Sequence, residues 1–134
     1  MDSDRPSAPA GTAVIKGSEE SSLLLDDFTT FVAAIDGVPV VAGRKGWSTP
    51  LELKAGRRTL TVAFVRGVFS ARTNLELEAA ANARYELKFT TDAQLFGHNS
   101  FCDFWVVNLD TGQTVSPITK ASVKKSDGSG GSLQ

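Results

Sequence analysis

The chain has 134 residues, enough for one domain that buries a hydrophobic core without disulfides or metals. Its 14 basic and 15 acidic side chains give a formal net charge of −1. It therefore lacks the excess of positive charge that a phosphate backbone attracts, and nucleic acid is excluded as an expected partner. No apolar run approaches the roughly 20 residues that a membrane-spanning helix requires.

The two ends of the chain differ in composition from its centre. Residues 1–11 are polar and rich in Ser, Pro and Ala, which predicts a disordered lead-in. Residues 124–134 are rich in Gly and Ser and are expected to form a flexible tail. The folded domain is therefore expected to span residues 12–123. No secretory signal is recognised.

Two apolar runs precede the centre of the chain. Residues 13–16 are mostly apolar and are followed by Gly17, which predicts a first strand and a turn. Residues 31–35 are almost continuously apolar, as in a strand that is covered on both faces. Pro39 has no amide hydrogen, so residues 38–41 are expected at a sheet edge or in a turn.

The central stretch is predicted to form a hairpin. Leu51 and Leu53 alternate with polar residues, and residues 60–64 alternate in the same way. Period-two alternation places one set of side chains on one face of a sheet. Gly56 tolerates the positive φ that a chain reversal needs. The pattern therefore predicts a strand, a turn and a second strand.

Three further runs follow. Residues 69–79 and 85–89 alternate between apolar and polar side chains, which predicts two half-buried strands. Residues 101–109 form the most apolar run of the chain. The turn residues 110–112 end in glycine and predict a hairpin into residues 113–116.

Many short runs with weak helix signals predict an all-β fold. We expect an antiparallel β-sandwich of about 7–9 short strands in a single domain, with a barrel as the alternative. The sandwich is favoured because residues 31–35 and 104–107 are apolar on both faces, as central strands often are.

Residues 31–66 carry an ordered series of motifs: Ile35-Asp36-Gly37, Thr49-Pro50-Leu51-Glu52-Leu53, Gly56-Arg57-Arg58 and Leu60-Thr61-Val62. This series resembles the PEGA-type domain, a small β module of bacterial and archaeal envelope proteins. Arg58 stands where that family usually has histidine, and the gap before Thr49 is longer than typical. The resemblance implies an extracytoplasmic accessory or binding module and brings no catalytic residues.

The strand rhythm is also similar to that of small bacterial envelope lipoproteins. In such proteins a lipidated cysteine precedes a polar tether, and here it would occupy the position of Met1. This likeness implies a periplasmic or outer-surface location and a membrane tether through a removed, lipidated N-terminal segment.

Few residues of the sequence offer catalytic or metal-binding chemistry. Cys102 is the single cysteine and lies in an apolar run, which predicts a buried, inert thiol. His98 is the single histidine, and with Cys102 and Asp103 it forms an unconvincing zinc set, because neighbouring strand residues point to opposite faces. We expect no catalytic residues, no metal and no cofactor.

Acidic residues suggest two further sites, and both are disfavoured. Asp26-Asp27 could join Asp36 or Asp110 around calcium, but paired aspartates beside a turn usually cap a strand end. Several glutamates fall on polar strand positions, where a solvated sheet face is favoured over a sugar-cleaving pair. They are Glu52, Glu76, Glu78 and Glu86.

Two loops are the candidate binding sites. In the first, Arg44 and Lys45 precede Trp47, which could stack on a sugar ring or anchor a protein partner. The alternative is that Trp47 folds back and closes the open end of the sandwich. In the second, His98 and Asn99 form a polar tip before the apolar run at 101–109.

Three functions follow from these patterns. The first is a non-catalytic envelope module that binds a protein or a cell-wall glycan through end loops. The second is a structural or oligomerising protein, such as a homodimer, that uses an exposed sheet edge or the apolar face carrying Phe101, Trp105 and Val107. The third, an enzyme, is the least favoured.

Overall fold

The computed structural model describes residues 11–20, 28–40, 43–91 and 100–125. Within these ranges the chain forms strands and one short 3₁₀ turn, Gly43–Gly46, but no α-helix. The strands in chain order are β1 (Thr12–Lys16), β2 (Ser18–Glu20), β3 (Phe28–Ile35), β4 (Val38–Pro39), β5 (Leu51–Lys54), β6 (Gly56–Arg66), β7 (Phe69–Ala79), β8 (Arg84–Thr91), β9 (Phe101–Asn108), β10 (Thr119–Ser122) and β11 (Lys124–Lys125). The all-β class is therefore confirmed.

The strands form two sheets. Sheet 1 has the order β10-β9-β8-β1-β5, and sheet 2 has the order β11-β7-β6-β3-β2, with β4 also paired to β3. Strands β1 and β8 run parallel, whereas their other neighbours in sheet 1 are antiparallel. The expected antiparallel character is therefore shown in part: sheet 2 is antiparallel throughout its described pairs, and the strand number exceeds the expected 7–9. Sheet 1 is mixed, and the described ranges contain eleven strands.

The parallel pair arises from the way the chain enters sheet 1. The Asn82 N–H donates to the Thr12 carbonyl at 2.7 Å, and the Val14 N–H donates to the Ala83 carbonyl at 3.1 Å. Strands β1 and β8 therefore begin at the same end of the molecule. Parallel neighbours need a long crossover, and here that connection includes strands of sheet 2.

Within the described residues, the chain passes from one sheet to the other at three single residues, Gly17, Ala55 and Val123. Strand β1 leads into β2 at Gly17, although β1 belongs to sheet 1 and β2 to sheet 2. A Cβ atom on Gly17 would overlap the carbonyl oxygen of Thr30 and lie 2.9 Å from the Cα atom of Phe31. Only glycine permits this close backbone approach. Ala55 separates β5 from β6 in the same way, and Val123 separates β10 from β11.

Ser18 satisfies a polar group where β1 leaves sheet 1. Pairing of β1 with β8 ends where Lys16 lies opposite Glu86. The Ser18 hydroxyl donates to the carbonyl of Leu87, the next residue of β8, at 2.7 Å. Its oxygen also lies 3.0 Å from the hydroxyl oxygen of Thr30. This buried contact joins the two sheets and compensates the desolvation of its polar atoms.

Both sheets contribute to one apolar cluster. Its largest fully buried side chains are Phe64, Phe104, Ile15, Leu53, Leu60, Leu75, Leu77 and Leu87. The rings of Phe28, Phe64 and Phe89 lie with their centroids 5.9 to 6.4 Å apart, within the range of favourable aromatic pairs. Each large apolar side chain buried here contributes about 1.5–3 kcal/mol to the free energy of unfolding.

The predicted hairpin around Gly56 is wrong. Strand β5 pairs with β1 in sheet 1, whereas β6 pairs with β3 and β7 in sheet 2. The Ala55 N–H donates to the Gly11 carbonyl at 2.9 Å, and Gly56 follows with a φ of +111°. The alternation and the positive φ are confirmed, but alternation determines which face a side chain occupies and not which strand lies beside it.

Strand β3 is buried on both faces over its first five residues, Phe28–Val32. The predicted burial of the run 31–35 is therefore confirmed only for its first two residues, because residues 33–35 are half-buried. Its register with β6 shifts between Val32 and Ala34, which identifies a β-bulge. Strand β4 then pairs with the end of β3 through the turn at Asp36 and Gly37. Both turn residues have positive φ, +51° and +83°, as a two-residue hairpin loop of type I′ requires.

The last part of the domain follows the predicted order. Strands β7 and β8 bury alternate residues. After β9, the Asn108 side chain accepts the backbone N–H groups of Asp110 and Thr111, and Val107 then pairs with Thr114. Strand β11 pairs with β7, so paired backbone extends to Lys125, past the expected limit at residue 123. Residues 1–10 and 126–134 lie outside the described ranges.

Candidate functional site

The first candidate site is the loop 43–49, which connects the two sheets. It follows β4, at the edge of sheet 2, and precedes β5, at the edge of sheet 1. Its 3₁₀ turn, Gly43–Gly46, packs against β3. The loop therefore lies along the side of the molecule where β1 crosses into β2, and this position was not evident from the sequence.

Trp47 is anchored through its backbone. Its carbonyl accepts the N–H of Gly17 at 2.6 Å, and the Thr49 N–H donates to the Gly46 carbonyl at 3.0 Å. The Trp47 side chain is half-buried, and Lys45 is exposed. Arg44 lies in the 3₁₀ turn, but its side chain is outside the description. The loop therefore leaves Trp47 partly exposed, two residues after an exposed lysine.

The second candidate loop lies between β8 and β9. Its residues His98 and Asn99 are outside the described ranges, as are Asp26 and Asp27. The predicted polar binding tip and the disfavoured calcium site therefore remain predictions. The last described residue before the loop is Thr91, which is buried, and the first after it is Ser100, which is exposed.

A third region emerges on the outer face of β9. Cys102, Phe104 and Val106 point into the core. Phe101, Asp103, Trp105 and Val107 therefore lie on the opposite side of sheet 1, which we call the β9 outer face, and all four are half-buried. The sequence identified its apolar residues, whereas the neighbours that border it depend on strand pairing.

The PEGA-like motif positions also meet. Arg58 donates to the Asp36 carboxylate at 2.8 Å, and the other carboxylate oxygen accepts the Thr59 N–H at 2.9 Å. The Asp36 N–H in turn donates to the Thr59 carbonyl at 2.7 Å. Arg58 thus ties the Asp36–Gly37 turn to β6, which is a structural role for the position where the family usually has histidine.

The predicted thiol and the possible metal ligands are the candidates for reactive chemistry. Cys102 is buried, and its burial, together with the charge of Asp103, raises the pKa of the thiol well above its usual range. The prediction of a buried thiol is confirmed. Among residues 11–20, 28–40, 43–91 and 100–125, no three His, Cys, Asp or Glu side chains are grouped so that they could hold a metal.

The glutamates proposed as polar surface positions fit that description. Glu76 lies 3.4 Å and Glu78 4.0 Å from the guanidinium of Arg57 on the neighbouring strand, and all three side chains are exposed. Glu52 is exposed on β5, and Glu86 is half-buried on β8. Exposed ion pairs of this kind contribute little to stability and leave the face solvated.

No helix within the described part of the chain is long and apolar enough to cross a membrane. Comparisons of the chain with protein-family models, with curated proteins and with solved structures found no match.

Proposed function

We propose that this domain is a non-catalytic binding module that recognises a protein or glycan partner through the loop 43–49. The observation that carries the proposal is the anchored Trp47, whose backbone is bonded to the Gly17 corner while part of its ring stays at the surface. A loop held in its binding conformation loses less conformational freedom on association. Partly exposed tryptophans are enriched among the residues that dominate binding energy.

The chemistry of the loop defines what it could bind. An indole ring stacks on the apolar face of a sugar or fills a pocket of a protein, and the exposed Lys45 beside it supplies a hydrogen-bond donor and a positive charge. We propose that Arg44 adds a second charge from the 3₁₀ turn, and that His98 and Asn99 belong to a second recognition loop. A partner with acidic groups beside an apolar ring or side chain fits this set.

We place the module in the cell envelope. This part of the proposal rests on the resemblance to PEGA-type domains and to small lipoproteins. The natural protein would then be periplasmic or on the outer surface, with a lipid tether. Fractionation of cells that express the natural gene, with mass determination of the mature N-terminus, tests this, and an untethered cytosolic protein contradicts it.

The binding proposal is tested with Trp47→Ala. The probes are purified peptidoglycan, in a co-sedimentation assay, and envelope proteins captured in cells by a photo-crosslinking residue placed at Lys45. We expect Trp47→Ala to weaken binding at least about tenfold, because truncating such a residue costs more than about 1.4 kcal/mol.

Two variants keep this test specific. Trp47→Phe should retain part of the binding, because it preserves an aromatic ring. Lys54→Ala, on exposed β5 outside the loop, should leave binding unchanged. A Trp47→Ala protein that melts like the parent and keeps every interaction of the parent removes this loop from the function.

A further inference from the structure

The β9 outer face leaves apolar side chains partly in contact with water. Phe101, Trp105 and Val107 lie on the side of sheet 1 that faces away from the core, and each is half-buried. Aromatic side chains carry the largest apolar area of any residue type, and a partly exposed Trp and Phe on one strand form an unusual surface. This surface differs from the loop 43–49, and the inference drawn from it is independent of the proposed loop binding.

The segment that follows β9 enlarges this apolar surface. Of the five large hydrophobic side chains that are exposed within the described ranges, Leu109 and Ile118 extend this face. Ile118 is 66% exposed and directly precedes β10. The register of β10 pairs Thr119 with Phe104, and one step further this register places Ile118 beside Trp105. Contiguous exposed apolar surface of this kind marks an interaction site.

Side chains of both charges border the β9 outer face, on β8 and on β10. On β8, Glu86 lies opposite Val107 and Lys88 lies opposite Trp105, and their charged groups are 3.8 Å apart. On β10, Lys120 lies 4.0 Å from Asp103, and its ammonium group lies 3.9 Å from the centre of the Phe101 ring. The border therefore carries equal numbers of positive and negative groups and complements a surface with the same alternation.

We propose that the β9 outer face is the interface of a symmetric homodimer of this chain. The twofold axis crosses β8 and β9 at right angles to the strands, at the level of the paired residues Leu87 and Val106. On each strand, this axis places the residue before that level opposite the residue after that level in the second copy. Trp105 then packs on Val107 of the second copy, and Lys88 faces Glu86 of the second copy, with each contact made twice.

The charge pattern favours this occupant and this axis. An axis at the level of Lys88 and Trp105 would place the two Lys88 side chains opposite each other, and one at the level of Glu86 and Val107 would do the same with the two Glu86 side chains. Like charges brought together in an interface are strongly unfavourable. The level between them is the one that pairs opposite charges.

The test measures self-association by sedimentation across the micromolar range. The parent should form a dimer in equilibrium with monomer over this range. Lys88→Glu and Glu86→Lys each place like charges across the axis and should raise the dimer dissociation constant at least about tenfold. The double variant Lys88→Glu/Glu86→Lys restores opposite charges and should return the constant to within a few-fold of the parent.

Controls separate the interface from the fold. Lys54→Glu changes the same charge on β5, at the far edge of sheet 1, and should leave self-association unchanged. Thermal unfolding of each variant shows whether the domain is intact. Cross-linking of Lys88→Cys mixed with Glu86→Cys by a bis-maleimide reagent that spans the roughly 10 Å between packed sheets should exceed that of either variant alone, because the axis places residue 88 opposite residue 86.

Three results overturn the proposal. A parent that stays monomeric throughout the concentration range removes the dimer. A dimer that is insensitive to both single charge changes forms through another surface. If cell-wall glycan fragments quench the fluorescence of Trp105, measured in a Trp47→Phe background, while the protein stays monomeric, the face binds a ligand and not a second copy.

Discussion

The corner at Gly17 and the turn at Asp36–Gly37 both require glycine, but for opposite reasons. At Gly17 the backbone of β3 leaves no room for a Cβ atom, whereas at Gly37 nothing lies within 4 Å and the constraint is a φ of +83°. The corner is secured by buried hydrogen bonds and the turn by a partly exposed ion pair. The difference shows that steric crowding requires glycine at the buried corner, whereas backbone conformation requires it at the exposed turn.

The largest expected effect comes from Gly17→Ala. The added methyl group meets the carbonyl of Thr30, a backbone atom that cannot rotate away, so the corner must move away from β3. We expect a loss above about 3 kcal/mol in the free energy of unfolding, beyond the usual cost of overpacking. Gly37→Ala is the matched control and should cost only about 1–2 kcal/mol, from its positive φ. Equal losses in urea unfolding would contradict the comparison.

Ser18→Ala is expected to cost about 1–3 kcal/mol. The change removes the hydroxyl that donates to the Leu87 carbonyl and contacts Thr30, and it leaves buried polar atoms without this group. Ser122→Ala, on exposed β10, is the control and should change stability by less than about 0.5 kcal/mol. Similar melting temperatures for the two variants would show that the corner hydrogen bonds contribute little.

Burial of the Cys102 thiol in the crowded interior has a consequence for the pH dependence of stability. Burial raises the pKa of its thiol, so the folded protein keeps this proton to a higher pH than the unfolded chain does. The stability that the neutral thiol contributes is complete below the unfolded pKa of about 8.5 and is lost as the pH rises above it, by up to about 1.4 kcal/mol per pH unit.

Urea unfolding at several pH values from about 8 to about 10 checks this expectation for Cys102. Cys102→Ala should be less stable than the parent at neutral pH, because it leaves a small cavity. The free energy of unfolding of the variant should nevertheless fall less steeply than that of the parent as the pH rises above the pKa of the unfolded thiol. Parallel curves for the parent and the variant would show that Cys102 does not titrate on unfolding.

The smallest effect is expected at the exposed turn. Arg58→Ala removes the 2.8 Å ion pair with Asp36, in which the arginine side chain is 27% and the aspartate side chain 42% exposed. The loss should lower the free energy of unfolding by less than about 1 kcal/mol. The difference from the parent should shrink at high salt, because screening weakens the pair in the parent. Asp36→Ala should cost more, since Asp36 also accepts the Thr59 N–H and adopts a positive φ.

Much of the local structure was predictable from residue patterns. Alternation located β7 and β8, continuous apolarity located part of β3, and residues 110–112 located the turn after β9. Each of these signals is carried by neighbouring residues, and each element forms mainly for local reasons.

The partners of the strands were not predictable in this way. Strand β5 has the pattern of a hairpin arm, but it pairs with β1, which lies far away in the sequence. The bulge after Val32 and the close approach at Gly17 depend on contacts between segments that no single window of sequence contains. Pairing is a property of the assembled sheets.

The same limit applies to the candidate sites. Trp47 was recognisable as a candidate because of its residue type and its polar neighbours. Its anchoring to Gly17, and the presence of Lys88 beside Trp105, follow from pairings that join distant parts of the chain. Residue type therefore indicates which side chains could recognise a partner, and topology determines which of them act together.

The passage of β1 into β2 has a consequence for how the molecule gains its structure. Thr12–Glu20 is synthesised early, yet Val14 pairs with Arg84, 70 residues further along the chain. The segment therefore cannot complete sheet 1 until β8 has emerged, and neither sheet can mature alone because the same segment belongs to both. We expect folding to be slow and all-or-none, and a chain truncated before residue 84 to remain unfolded.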